Sequence, residues 1–132
     1  MKYGFISELH AHLVDDCYWN LDSPLIFVSK VWDEIIVPAG FQTDFASVPR
    51  IPFIYDVWGG QVDREAALHD YVCCKDSIPL LSRKQANELF LEAMESRNVP
   101  NYIKYPMYWG VRMSFDGFDF HIRSYKTPLD IK

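Results

Sequence analysis

The chain has 132 residues, 49% of them hydrophobic, and a net charge of −5 from 18 acidic and 13 basic side chains. That make-up fits one globular domain and excludes a disordered tail, a collagen-like repeat and a coiled coil. No apolar run approaches the roughly 18 residues of a membrane span, and an acidic chain without a Lys/Arg run gains nothing from the counterion release that drives nucleic-acid binding.

Aromatic residues reach 16%, enough for a dense core in a small fold. In chain order, KYGFI, LIFVS and DEIIVP read as short strands rich in β-branched and aromatic residues. Pro38-Ala39-Gly40 reads as a turn. It leads into FQTDFASVPRIPF, a segment too interrupted by Pro and small polar residues for a regular element, and expected as an ordered loop. Three helical patterns follow. The first runs from Asp63, a candidate N-cap, to Cys74. The second opens on the capping box Ser82-Arg83-Lys84-Gln85 and runs to Arg97, with Ala86, Leu89, Phe90, Ala93 and Met94 at helical spacing. The third starts at Asn101 and carries Ile103, Met107, Tyr108, Val111 and Met113, with Pro106 expected to start or kink it. Phe118 to Ile122 alternates weakly and could add an edge strand.

The expected fold is therefore α+β in a single domain over 1–132. A small antiparallel sheet in a strand-rich part (1–60) precedes about three packed helices (61–116) and a short tail (117–132). The start, MKYGFISELH, lacks the apolar stretch of a signal peptide, and the expectation is a cytoplasmic protein. Three cysteines, Cys17, Cys73 and Cys74, do not suit a disulfide framework or structural zinc, and are expected as reduced, mostly buried thiols.

Chemistry concentrates in two places. On the first helix Val62, Ala66, His69 and Cys73 share one stripe that should face the protein, with Asp70 beside Ala67 and Cys74. A half-buried His and Asp need partners, because an unpaired buried polar group costs about 1–3 kcal/mol. Asn87 flanks the apolar stripe of the second helix, and the small Ala66 and Ala67 allow the approach it needs to reach His69. The plain alternative is a histidine that only cross-links two helices.

The second place is Thr43-Asp44-Phe45-Ala46-Ser47, between Gly40 and Pro49-Arg50, a polar loop held at both ends. Asp44 with Asp70 and His69 offers ligands for a divalent ion, calcium or zinc, or else a base with its orienting acid. Against that, Asp44 and Ser47 could simply cap a turn, and Arg50 could pair with either Asp. His10 and His12 share a face if their stretch is a strand, but no third ligand is near them in sequence. Trp58-Gly59-Gly60 is no phosphate loop, Gly-x-Ser-x-Gly is absent, and Cys73-Cys74 has only Lys75 as a basic neighbour.

VPAGFQTDFASVPRIPF, EAALHDYVC, SRKQANELFLEAM and MYWGVR together resemble a phage and prophage family catalogued as domain of unknown function 1353, from Val37 to Arg112. The resemblance implies a phage or prophage origin and no activity. It implies a place in the host bacterial cytoplasm or with the virion, and a phage structural or host protein as partner. It marks Thr43, Asp44, Ser47, Pro49, Arg50, His69 and Asp70 as motif positions.

A second, local resemblance is to the parvoviral capsid phospholipases, which carry Ala-Ala-x-x-His-Asp-x-x-Tyr and later Ala-Asp-x-x-Phe. Here Ala66-Ala67-Leu68-His69-Asp70 and Ala86-Asn87-x-x-Phe90 are similar. The similarity implies His69 as base for a water, Asp70 as calcium ligand and Asn87 as the group that orients His69. Three departures stand out: Cys73 in place of Tyr, Asn87 in place of Asp, and no Gly-x-Gly loop at the expected distance. Three readings remain open: a small hydrolase of lipid or cell-wall substrate, a non-catalytic virion assembly or host-interaction protein, and an ion site that only stiffens the fold.

Overall fold

In a computed structural model of the chain, residues 2–15, 18–43, 62–113 and 124–126 are described. The strands are β1 (Gly4–Phe5), β2 (Ala11–Val14), β3 (Tyr18–Leu21), β4 (Leu25–Ser29), β5 (Asp33–Val37) and β6 (Gln42–Thr43). The helices are α1 (Asp63–Val72), α2 (Arg83–Ser96) and α3 (Asn101–Arg112). The fold is α+β with the strands first.

The strands form two antiparallel three-stranded sheets, β1-β4-β5 and β2-β3-β6. The apolar β4 pairs with β5 from Leu25↔Val37 to Ser29↔Asp33, and Phe27, Leu25, Ile35 and Val37 are fully buried. The Pro38-Ala39-Gly40 turn forms as expected. Gly40 takes φ +85°, the region that favours glycine, and Phe41 N–H donates to Pro38 O at 3.2 Å. The turn delivers β6 onto β3, with Trp19↔Thr43 and Asn20↔Gln42 in register. Gln42 and Thr43 are thus strand residues, where the sequence reads as the start of a loop. Their pairing partners lie more than twenty positions back and leave no local trace. Strands β2 and β3 also escape the sequence pattern, because β2 is half-exposed along its length and carries no clean alternation.

One core joins the strand residues Leu25, Phe27 and Ile35, and Phe41 beside β6, to Ala67, Leu68, Val72, Leu89 and Ala93 of the helices. A second lies among the helices and holds Val62, Ala66, Phe90, Met94, Ile103, Met107 and Val111. Because α1 is pressed between both, every residue from Glu65 to Val72 is buried. Helix α2 is tied to the β4–β5 hairpin by Glu92, whose two carboxylate oxygens accept from Ser29 Oγ and Lys30 N–H, both at 2.8 Å. Its capping box forms as the sequence predicts: Gln85 N–H donates to Ser82 Oγ at 3.1 Å, and Ser82 N–H to Gln85 Oε1 at 2.9 Å.

Two helix details differ from expectation. Asp63 is the first helical residue of α1, Val62 takes the cap position, and no side chain caps it. Pro106 lies inside α3, which starts at Asn101. Phe118 to Ile122 lies outside the described residues.

Candidate functional site

The α1 stripe read from spacing faces inward: Val62, Ala66, His69 and Cys73 are all buried. The small Ala66 and Ala67 are buried, and α1 packs on α2. His69 Nε2 then lies 2.9 Å from Asn87 Oδ1, and the imidazole packs on the Phe90 ring at 5.2 Å between centroids. A carbonyl oxygen only accepts, so Nε2 carries the proton and Nδ1 carries the lone pair. Burial, with the nearby Arg83 cation, pulls the His69 pKa down to about 4, against the upward pull of the Asn87 hydrogen bond. At neutral pH the ring is a neutral, fixed tautomer with its basic nitrogen unprotonated.

Asp70 points the other way, towards the sheet. Thr43 Oγ1 donates to Asp70 Oδ2 at 2.6 Å, a buried bond that ties the last described residue of β6 to α1. Adjacent residues of one helix therefore hold two different elements, α2 through His69 and β6 through Asp70. Cys73 Sγ is 3.8 Å from Nδ1 and 3.9 Å from Nε2 of His69. Equidistant from both ring nitrogens, it lies along the lone pair of neither. Burial also pushes the Cys73 thiol far above the ordinary thiol range, so a Cys-His nucleophile is not formed here.

Four of the seven residues singled out from the sequence (Thr43, His69, Asp70 and Asn87) thus meet around α1. Asp44, Ser47 and Arg50 lie outside the described residues, as do Cys17, His121 and the Trp58-Gly59-Gly60 run. His12 is on the exposed strand β2 and pairs with Asp22 at 2.6 Å. Among the described residues no group of three His, Cys, Asp or Glu side chains converges. Asp70 alone falls short of the donor set that calcium or zinc takes, so the described residues do not by themselves make a metal centre.

The model of the family described as "Protein of unknown function (DUF1353)" matches residues 19–111. The chain belongs to this family. The match takes in every described residue of the His69 site and stops one residue short of the end of α3. No curated protein and no solved structure matches the chain.

Two features around the site are not read from the sequence pattern. One is a buried ion pair one turn before His69, in which Arg97 Nη1 meets Glu65 Oε1 at 2.8 Å while Glu65 Oε2 has no partner among the described residues. The other is a groove of about 470 Å³ between the start of α2 and the end of α3, lined by Arg83, Lys84, Asn87, Glu88, Tyr108 and Arg112. A signal for the groove was present: Arg83 and Lys84 fill the first turn of α2, which has no acidic residue, against the preference of the positive helix end.

Proposed function

We propose that the chain is a small hydrolase in which His69 is the general base and Asn87 orients it. The observation that carries this reading is the buried Nε2–H···Oδ1 bond of 2.9 Å, which fixes the ring and leaves the lone pair on Nδ1. In the reaction Nδ1 takes a proton from the attacking water, whose oxygen bonds to the substrate carbonyl. The same proton then goes to the leaving oxygen or nitrogen as its bond to carbon breaks. Asn87 Oδ1 accepts from Nε2–H throughout and stabilises the imidazolium less than a carboxylate would. The substrate is a lipid ester, which the phospholipase resemblance favours, or a cell-wall peptide of a phage- or prophage-carrying bacterium, with the chain in the host cytoplasm or on the virion.

Release of fatty acid from phospholipid vesicles and of soluble fragments from peptidoglycan tests this. His69→Gln should lower the active reaction by about 10²-fold or more. The acid limb of the wild-type rate should fall near pH 4, the pKa that burial gives His69, and Asn87→Asp should move that limb upward. A His69→Gln protein that keeps its hydrolysis would refute the reading.

A second reading has one observation in its favour. His69 is only 1% exposed, and it and Asp70 each bridge to a separate element. In that reading the network is a scaffold for a virion assembly or host-interaction protein. No hydrolysis of either substrate by the wild type, with a large loss of stability in His69→Gln, would select it.

A further inference from the structure

The groove at the α2–α3 corner sets a local charge against that of the whole chain. Its lining holds three cations, Arg83, Lys84 and Arg112, and one carboxylate, Glu88, in a protein of net charge −5. Among the described residues no carboxylate pairs with Lys84 or Arg112. Arg112 is instead stacked on aromatic faces, 4.9 Å from the Trp109 ring centroid and 5.5 Å from that of Tyr108. Stacking holds the guanidinium by its faces and leaves its N–H edge for an acceptor. The floor of the groove is Asn87, 6% exposed, whose Oδ1 is spent on His69. Its Nδ2 donates to no atom of the described residues, so the amide donor of a largely buried side chain lines the same cavity as the cations.

Position adds a further sign. Arg83 and Lys84 stand at the positive end of α2 with no acidic residue in that turn, against the preference of that helix end for negative charge. Beside the groove, Tyr102, Tyr105, Trp109 and Met113 recur at intervals of three and four along α3 and are all exposed.

The geometry points to this groove as a binding site for the phosphate group of a phosphate ester, held by Lys84 and Arg112 and by the Asn87 amide. This rests on the hydrolase reading, in which Asn87 lines the groove and also orients His69, so the phosphate end of a substrate would be held on the Asn87 side of the base. The phosphate could belong to a soluble ester or to a lipid headgroup. The exposed aromatic stripe is the kind that settles at a lipid interface, and favours the headgroup.

Binding is read without turnover, on wild-type protein and on Lys84→Gln/Arg112→Gln, whose side chains are exposed. Two probes serve: sn-glycerol 3-phosphate by titration calorimetry, and co-sedimentation with vesicles of phosphatidylglycerol against phosphatidylcholine. A headgroup site binds phosphatidylglycerol vesicles, roughly tenfold or more weakly after the double substitution, and weakens with salt. Binding of glycerol 3-phosphate alone, lost in the same variant, assigns the groove to a soluble ester.

Binding of neither probe, or binding unchanged by both Lys84→Gln/Arg112→Gln and Lys84→Glu, overturns the inference. Failure of the hydrolase reading shows separately, as a His69→Gln protein that binds either probe like the wild type and also hydrolyses like it.

Discussion

Helix α1 sends two buried polar side chains to α2 one turn apart, and the helix interior treats them oppositely. Glu65 reaches Arg97 at the end of α2 and His69 reaches Asn87 near its start. Burial pushes the Glu65 carboxyl up to about 7, with Arg97 pulling it back only in part. The same burial pulls His69 down to about 4. Desolvation favours the neutral form of both, which raises an acid and lowers a base. The neutral His69–Asn87 pair has its ring proton matched to an acceptor. The Glu65–Arg97 pair leaves one carboxylate oxygen without a donor among the described residues. The first can serve as a chemical group at neutral pH, whereas the second is a strut between helices.

The largest effect should come from breaking the strut. Arg97→Ala leaves a carboxyl that is 0% exposed without its cation, which typically costs ~3–5 kcal/mol in urea unfolding. Glu65→Leu/Arg97→Met removes both charges and should recover most of that loss, as replacing a whole buried pair by apolar groups usually does. A double variant no more stable than Arg97→Ala would mean that the pair holds more than itself.

The pH dependence separates the two pairs next. Glu65 is raised from 4.5 to about 7, so the folded state binds more protons than the unfolded one across that window. Stability should fall as pH rises through it, by up to ~3 kcal/mol. His69 is lowered from 6.5 to about 4, so here the unfolded state binds more protons, and stability should fall as pH drops from 6.5 towards 4. The slopes oppose each other where the windows overlap, and Asp63, raised to about 6, sides with Glu65. Glu65→Gln leaves His69 opposed by Asp63 alone and should flatten the profile over that overlap, whereas His69→Asn should leave a protein whose stability falls steeply as pH rises. Parallel profiles for the two variants would contradict the opposed burial effects.

Local physics decided which of these features could be read in advance. The capping box of α2 involves residues three apart, and forms as written. The His69–Asn87 contact spans 18 positions, but both residues lie on regular helices whose apolar spacing sets their faces, and small Ala66 and Ala67 open the approach. Thr43–Asp70 spans 27 positions and Glu65–Arg97 spans 32, and no periodicity links their members. Glu65 also stands where the first turn of a helix favours an acid for ordinary dipole reasons, which hides its burial. Short strands such as β6 exist only through pairing with a distant β3, so composition alone reads them as loop.

The smallest expected effect bears most directly on the site. Thr43→Val keeps the shape of the side chain and removes the hydroxyl that donates to Asp70 Oδ2 at 2.6 Å. Asp70 keeps its other interactions, so the loss should be about 1–2 kcal/mol. The informative quantity is its coupling to Asn87→Ala, which removes the acceptor of the neighbouring His69 Nε2–H. If β6 and α2 merely happen to grip adjacent residues of α1, the two losses add within about 0.5 kcal/mol. If Thr43, Asp70, His69 and Asn87 form one rigid constellation, loosening either grip lets α1 shift and the losses depart from additivity by more than that. A base that must sit within a few tenths of an ångström of its water needs the second behaviour, and a scaffold is served by either. Additive losses would leave the hydrolase reading without the rigidity it requires.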